Sequence, residues 1–282
     1  MFAAQEELKA RFMDEPIGVF DSGVGGLTVL DAIQKALPNE SIVYLGDTAR
    51  VPYGNRTPET IVRYALECAQ VLVERGVKAI VIACNTASAH ALDVLQCELN
   101  IPVFGVIDPV SREAARTTRN GAIGLIGTRA TVSSGAYARA LHAIDPEIVV
   151  SAKACPLFVN LAEEAWADHE VTYEVALEYL AYFKTVSQTP DTLILGCTHY
   201  PILKRAIRRA LDTLGLEMTL CDCADATAQV LHDELAQRGL LSLRKTPGET
   251  HYFVTDAPAP FAAVGASFMS QAPKDVQHID FV

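Results

Sequence analysis

The chain has 282 residues, half of them apolar and one fifth charged, which is the balance of a folded globular protein with one large domain or two modest ones. Its formal net charge of −11 argues against nucleic-acid binding, which needs clustered Lys and Arg. The apolar stretches are too short to span a bilayer, and the segment before Ile17 lacks the pattern of a secretory signal. The odd number of cysteines, seven, favours reduced thiols and a cytoplasmic location over a disulfide framework.

Short apolar runs rich in Val and Ile alternate with amphipathic segments along the chain. Strands are predicted at Ile17–Phe20, Ser41–Leu45, Lys78–Ala83, Pro102–Val106, Ala122–Ile126, Ile148–Ala152 and Thr192–Leu195. Helices are predicted at Thr60–Glu74, Val132–Leu141, Tyr173–Thr185 and Ile202–Leu214. Continuously apolar strands that alternate with helices indicate an α/β fold of doubly wound parallel sheets.

Two pairs of similar segments suggest that the chain contains a duplicated α/β unit. PIGVFDSGVGGLTVL (16–30) is similar to AIGLIGTRATVSSGAY (122–137), and AIVIACNTASAHAL (79–92) is similar to TLILGCTHYPIL (192–203). Chance likeness between two strand–turn–helix segments is the alternative explanation. If two such units face each other, the carboxyl ends of their strands meet in a cleft, where α/β proteins bind ligands. Cys84 and Cys197 would then lie on opposite walls of that cleft.

Cys84 and Cys197 each follow an apolar strand and precede a helix, whose N-terminus favours a thiolate and lowers its pKa. Moving a proton from one face of a carbon atom to the other needs two groups on opposite sides, one deprotonated and one protonated. Two thiols in matched positions supply such a pair. The remaining cysteines are expected to be small buried apolar residues, namely Cys68, Cys97, Cys155, Cys221 and Cys223.

These residues alone are also compatible with other reactions of the two cysteines. A disulfide-exchange pair is one, although redox cysteines usually lie close together in sequence. A cysteine hydrolase with Cys84 as nucleophile and His199 as base is another, but it leaves Cys197 without a role. The glycines of FDSGVGGLT do not fit a dinucleotide-binding loop and predict a tight turn that a small ligand can approach. No lysine or cluster of metal ligands points to a cofactor, so chemistry without cofactor or metal is the simpler expectation.

Seven motifs in register resemble the glutamate racemases of the aspartate/glutamate racemase family. They are GVFDSGVGGLTVL, YLGDTARVPYG, IACNTASA, GVIDP, GLIGTRATV, ACPLFV and LILGCTHYP, and they extend from about Ile17 to Pro201. The resemblance implies cofactor-independent interconversion of L- and D-glutamate, which supplies D-glutamate for peptidoglycan and so for cell wall biogenesis and cell shape. A related two-cysteine racemase, such as one for aspartate, is the nearest alternative, although the pair Thr198–His199 favours glutamate.

The resemblance also implies roles for individual residues. Cys84 would take the α-proton from D-glutamate and Cys197 from L-glutamate, with Asp21 and His199 as their polar assistants. Glu163 would support His199. The implied substrate contacts are Asp21, Ser22, the turn formed by Tyr53 and Gly54, Asn85, Thr86, Thr128, Thr131, Thr198 and His199.

Two facing lobes are the architecture that the resemblance implies. The first lobe would comprise residues 1–108 and 220–282 and the second residues 109–219, with a homodimer as the expected assembly and glutamate as the small-molecule partner.

Two other classes of function stay open. One is a two-lobed solute-binding protein without turnover, and the other is a protein-interaction role, because some glutamate racemases are reported to inhibit DNA gyrase.

Overall fold

The computed structural model describes residues 12–281 and contains ten strands in that range. They are β1 (Ile17–Asp21), β2 (Ile42–Gly46), β3 (Ala79–Ile82), β4 (Val103–Gly105), β5 (Ala122–Gly127), β6 (Val149–Ala154), β7 (Thr192–Gly196), β8 (Thr219–Asp222), β9 (Thr250–Val254) and β10 (Gln277–His278). Strands β1, β2, β3, β5 and β7 are buried at every position. This matches their Val- and Ile-rich sequences, which suit a sheet covered on both faces.

The strands form two separate parallel sheets. The first has the order β10-β9-β2-β1-β3-β4, and the second has the order β6-β5-β7-β8. In the first sheet β1 lies between β2 and β3, and in the second β5 lies between β6 and β7 in the same way. The predicted fold class, α/β with two similar lobes built on parallel sheets, is confirmed by this repeated strand order.

Helices connect the strands within both sheets. They are α1 (Leu27–Ala36), α2 (Pro58–Glu74), α3 (Asn85–Glu98), α4 (Ile107–Thr117), α5 (Arg129–Ser134), α6 (Ala136–Ile144), α7 (Leu157–Glu163), α8 (Glu170–Leu180), α9 (Lys204–Leu214), α10 (Cys223–Arg238) and α11 (Pro258–Gly265). Short 3₁₀ turns lie at Tyr53–Asn55, Ala181–Lys184 and Tyr200–Leu203. None of the helices in residues 12–281 is both long and apolar enough to cross a membrane.

The helix starts use side chains that accept hydrogen bonds from free backbone N–H groups. Thr57 caps α2, Thr128 caps α5 and Asp222 caps α10, each through an oxygen atom. Cys84 caps α3 through its sulfur. Two of these capping residues, Cys84 and Thr128, lie between the end of a strand and the start of the next helix. This edge of a parallel sheet is where α/β proteins bind ligands.

Two sequence predictions differ from the structure in detail. The predicted helix Val132–Leu141 is two helices, α5 and α6, because Gly135 between them adopts a left-handed conformation with φ of 67°. The predicted lobe boundary at residues 219 and 220 falls inside β8, which pairs with β7 of the second sheet. Residues 1–11 and 282, which the first predicted lobe includes, lie outside the described residues.

Helix α10 lies between the two lobes, where it packs against α1 of the first and α4 of the second. Strands β3 and β7 occupy corresponding positions in their sheets. Their carboxyl ends carry Cys84 and Cys197, so the fold places both cysteines at corresponding edges of the two lobes.

Candidate active site

Cys84 lies two residues beyond β3 and is 5% exposed. Its Sγ accepts a hydrogen bond from the backbone N–H of Ala87 at 3.4 Å, in the first turn of α3. The thiol also donates to Oγ of Ser22 at 3.7 Å. This wall of the site is therefore built from the strand ends of β1 and β3.

Cys197 follows β7 directly and is 6% exposed. Its Sγ lies 3.7 Å from Nδ1 of His199. The other ring nitrogen of His199, Nε2, lies 2.9 Å from Oε1 of Glu163 on α7. The residues predicted to act together, Cys197, His199 and Glu163, thus contact one another in that order. The ring of Phe268 packs edge-to-face against the imidazole of His199.

Burial dominates the acid–base properties of both thiols. It raises the pKa of Cys84 to about 12 and that of Cys197 well above the ordinary value of a thiol. The hydrogen bond from Ala87 to Cys84 acts in the opposite direction but is the smaller effect. The expectation of a lowered pKa from the helix N-terminus is therefore wrong for this closed structure, because removal of water outweighs the helix.

The two thiols belong to one electrostatic site. A negative charge on Cys84 is one of the causes that raise the pKa of Cys197, and Asp21 raises the pKa of both. Ionisation of one sulfur consequently disfavours ionisation of the other. A site with one thiolate and one thiol is the state that this coupling favours over two thiolates.

Asp21 is fully buried at the end of β1. Its Oδ2 accepts a hydrogen bond from the N–H of Gly23 at 3.0 Å, whereas Oδ1 has no hydrogen-bond partner among residues 12–281. Burial raises the pKa of this carboxyl, and a positive charge on His199 lowers it. Asp21 therefore lies within electrostatic reach of the Cys197 side as well as the Cys84 side.

Three threonine hydroxyls meet where the lobes touch. Oγ1 of Thr86, on α3 of the first lobe, lies 2.9 Å from Oγ1 of Thr128 and 3.0 Å from Oγ1 of Thr131 in the second lobe. A further hydrogen bond across the cleft runs from Oγ1 of Thr28 to the carbonyl of Thr198, at 3.0 Å. The predicted contacts Thr86, Thr128 and Thr131 are thus brought together, and in this structure they bond to one another.

The turn at Tyr53 and Gly54 presents its backbone, not the tyrosine ring, toward the second lobe. The Tyr53 hydroxyl donates to the carboxylate of Asp47 inside the first lobe. A Cβ atom at Gly54 would come within 2.7 Å of Cβ of Thr128, so only glycine allows this approach. A ligand contact from this turn would therefore use the main chain.

Asp47 holds that turn in place, and sequence reasoning did not single it out. Its Oδ2 accepts from Nε of Arg50 at 2.6 Å, and its Oδ1 accepts from Oγ1 of Thr255 at 3.0 Å. Together with the Tyr53 hydroxyl, these bonds tie the loop to β9. The sequence does contain a signal for Asp47, because it directly follows the apolar strand β2, much as Asp21 lies at the end of β1.

A family model described as Asp/Glu/Hydantoin racemase matches residues 17–231. The chain belongs to this racemase family. It is 52% identical over 263 residues to a glutamate racemase from Geobacter metallireducens, a match that covers 93% of this chain and 96% of the relative. The predicted family resemblance is confirmed.

Solved structures agree with this membership. Glutamate racemase from Francisella tularensis, solved in complex with D-glutamate, has a TM-score of 0.87 and 38% identity, covering 95% of this chain and 98% of that one. An aspartate racemase from Picrophilus torridus has a TM-score of 0.54 and 19% identity, covering 81% of this chain and 100% of that one. The second likeness shows the fold alone.

In this racemase-family chain, a cavity of about 180 Å³ borders the candidate site. Its lining includes Gly23, Val51, Glu163 and Phe261. A larger groove of about 820 Å³ lies on α8 and α9, away from both cysteines, and is lined by charged side chains such as Arg205 and Arg208. We assign the site to the cysteines because the convergence of buried polar groups, and not the size of a groove, identifies where chemistry takes place.

Two further side chains near the cysteines of this racemase-family chain, Tyr137 and Cys223, were not predicted as part of the site. Nδ2 of Asn85 donates to the hydroxyl of Tyr137 at 2.7 Å and to Sγ of Cys223 at 2.9 Å. Cys223 was expected to be only a small apolar residue, and Cys97, expected to be buried, is exposed. Within residues 12–281, no three His, Cys, Asp or Glu side chains converge as metal ligands.

Proposed function

We propose that the chain interconverts L- and D-glutamate without a cofactor, with Cys84 and Cys197 as the two acid/base groups. The observation that carries the proposal is a pair of buried, electrostatically coupled thiols at the ends of matched strands in two similar lobes. Each thiol has its own polar neighbours, Ser22 at Cys84 and His199 at Cys197. Glutamate as the substrate is supported by the close relatives that bear that name and by the relative solved with D-glutamate bound.

In the D-to-L direction, the thiolate of Cys84 takes the α-proton and becomes a thiol. The electron pair of the broken C–H bond stays on the substrate as a carbanion. The thiol of Cys197 then donates its proton to the opposite face of the carbon and becomes a thiolate. The L-to-D direction reverses both roles, so the reactive form of the enzyme carries one proton on the cysteine pair before and after each turnover.

The raised pKa values of the thiols fit this chemistry. A base is stronger when its conjugate acid has a higher pKa, and the α-proton of an amino acid is only weakly acidic. The positive α-ammonium group of bound glutamate would favour a nearby thiolate and so offset the burial that disfavours it. Exclusion of water strengthens this attraction, because charges interact more strongly in a medium of low dielectric constant.

Hydrogen-bond donors on both lobes would hold the two carboxylates. The hydroxyls of Thr86, Thr128 and Thr131 form one cluster, and each can turn its proton toward a carboxylate oxygen. The hydroxyl of Thr198, next to Cys197 along the chain, is a further donor. Asn85 instead offers its Oδ1 as an acceptor for the α-ammonium group, because its Nδ2 already donates to Tyr137 and Cys223. Donors fixed before the reaction stabilise the negative charge that develops next to the α-carbon.

The direct test is an assay of the purified protein with each isomer of glutamate and of aspartate, followed by chiral separation. We expect either isomer of glutamate to yield an equal mixture, with solvent deuterium incorporated at the α-carbon and aspartate turned over at least about a hundredfold more slowly. Faster turnover of aspartate would point to the related aspartate enzyme. Binding of glutamate without deuterium incorporation would support a solute-binding protein and contradict the proposal.

We also propose a cytoplasmic location, a role in supplying D-glutamate for peptidoglycan, and a homodimeric assembly. All seven cysteines are free thiols, which suits a reducing compartment. The resemblance to glutamate racemases supports the metabolic role and the dimer. Growth of a D-glutamate-requiring bacterium that expresses this chain tests the role, and sedimentation of the purified protein tests the assembly.

A further inference from the structure

A buried contact joins Asn85 to two residues of the second lobe and its neighbouring helix. Nδ2 of Asn85 lies 2.7 Å from the Tyr137 hydroxyl and 2.9 Å from Sγ of Cys223. The Tyr137 hydroxyl and Sγ of Cys223 lie 3.6 Å apart. All three side chains are nearly inaccessible to solvent, so the amide is held from one end by a tyrosine and a cysteine.

The backbone around Cys223 is itself fixed. Cys223 is the first residue of α10, and the side chain of Asp222 caps that helix by accepting from the N–H of Ala224 at 2.9 Å. The Cys223 thiol donates to the carbonyl of Leu195 at 3.6 Å. Leu195 lies on β7, two residues before Cys197, so Cys223 connects the strand that carries one catalytic cysteine to the residue that follows the other.

The oxygen end of the Asn85 amide is not engaged in the same way. Its Oδ1 is buried and has no hydrogen-bond partner within the described part of the chain. A buried polar atom without a partner costs free energy, and such atoms in native proteins usually await a ligand or water. Because Tyr137 and Cys223 occupy the other end of the amide, they determine where this unpartnered atom points.

Cys223 is not suited to be a third acid/base group. Burial raises its pKa to about 12, so it is a neutral thiol at physiological pH. Its sulfur is already used by Asn85 and by the carbonyl of Leu195. A neutral thiol at this place can accept and donate hydrogen bonds without adding charge beside Cys197.

We propose that Cys223, together with Tyr137, is a positioning residue that orients the amide of Asn85 toward glutamate bound between Cys84 and Cys197. The inference rests on the proposed function, since it assigns a role in binding the substrate of that reaction. Cys223 acts through Asn85 and does not itself touch the reacting atoms.

The test is a double-mutant cycle on the full-length enzyme. Cys223→Ala is expected to raise the KM for both isomers of glutamate and to lower kcat/KM about threefold to tenfold, the loss of one hydrogen bond, with little change in kcat. In an Asn85→Ala background the same substitution is expected to have no further effect, because the group that it orients is gone. Cys223→Ser, which keeps a donor and acceptor, is expected to restore kcat/KM to within about twofold of the parent.

Cys221→Ala is the matched control. Cys221 is also a buried thiol, two residues earlier on β8, and its sulfur contacts Thr117, outside the candidate site. This variant is expected to keep the kinetic constants of the parent. A purely structural role of Cys223 would lower the melting temperature and leave KM unchanged.

Three results would overturn the inference. They are parental kinetics for Cys223→Ala, an equal loss in the Asn85→Ala background, or no recovery with serine. If Cys223→Ala does not fold, Tyr137→Phe removes a single oxygen from the same contact, and the cycle with Asn85→Ala is judged by the same criteria. A parent enzyme that fails to racemise glutamate would instead refute the proposed function, which separates the two failures.

Discussion

Gly25 of the first lobe lies directly against the imidazole of His199 in the second. A Cβ atom at Gly25 would overlap both the ring of His199 and the hydroxyl of Thr198. The neighbouring Gly26 is confined in the same way by Asp21 and Tyr44. The glycine-rich turn after β1 therefore allows the close approach of the two lobes, with Asp21 and His199 packed around it.

Gly25→Ala is expected to lower kcat/KM about a hundredfold, because a displacement of about 1 Å at a catalytic group has that effect. Steady-state kinetics and circular dichroism would separate this loss from unfolding. Gly23→Ala is the matched comparison in the same turn, since a Cβ there would meet Val51 at 3.5 Å, an ordinary contact. An equal loss in both variants would show that the turn, and not the contact with His199, is responsible.

Cys84→Ala and Cys197→Ala are each expected to lower racemisation by at least about a thousandfold while leaving the fold intact, because each removes one of the two proposed acid/base groups. In D₂O, residual exchange should be confined to L-glutamate for Cys84→Ala and to D-glutamate for Cys197→Ala. Mass spectrometry after chiral separation measures this. Exchange into both isomers by either variant would contradict the assignment of one cysteine to each face.

The pH dependence of kcat/KM follows from the direction of the thiol pKa shifts. Burial raises the pKa of Cys84 to about 12 and that of Cys197 well above the ordinary value, so both are protonated in the free enzyme at neutral pH. The reactive form needs one thiolate, whose fraction grows about tenfold per pH unit below its pKa. We expect kcat/KM for both isomers to rise from about pH 6 to about pH 8. A flat profile across that range would show that a thiolate is already present in the free enzyme.

The contact between His199 and Glu163 supports a fourth prediction about activity. Glu163→Gln keeps a side chain of the same shape next to Nε2 but removes its negative charge. We expect kcat/KM to fall about tenfold, since a hydrogen bond to a charged group is the stronger kind and this one is partly exposed. Glu164→Gln, at the next and exposed position, should retain parental activity. Parental activity of Glu163→Gln would mean that Glu163 does not assist His199.

A stability prediction concerns the opposite end of the first sheet. Lys78 and Glu40 form a buried ion pair with 2.5 Å between Nζ and Oε2, and Glu40 also accepts from the N–H of Ser242 at 2.7 Å. Lys78→Met leaves the carboxylate buried without its partner and is expected to cost about 3 kcal/mol of unfolding free energy. Urea denaturation measures this, with kcat/KM of the folded protein unchanged as the control. Recovery of stability is expected in the double variant Lys78→Met, Glu40→Gln, which removes both charges.

The fold could be predicted from the sequence because its signals are local. Fully buried strands such as β1 and β7 are continuous apolar runs, and the likeness between the two strand–cysteine–turn segments reflects a strand order that recurs in both sheets. The break between α5 and α6 was missed because Gly135 can continue a helix or end one, and only its backbone conformation decides.

The site was harder to predict where it depends on distant residues. The pKa of Cys84 is set mainly by how completely the folded chain excludes water from its sulfur, which no local pattern encodes. The contact between Asn85 and Cys223 joins residues 138 positions apart. Cys223 therefore looks like an ordinary buried cysteine in the sequence and acquires a specific partner only in the folded chain.

The hydroxyl contacts of Thr86 with Thr128 and Thr131 have a consequence for the rate of the whole cycle. Cys84 and Cys197 are almost fully enclosed, and these bonds, with the one between Thr28 and Thr198, join the two lobes. We therefore expect some of them to break each time an amino acid enters or leaves. Opening and closing of the two lobes would then be part of every catalytic cycle. Their rate would limit kcat even if proton transfer were faster. A compound that merely kept the cleft shut would inhibit without resembling glutamate at all.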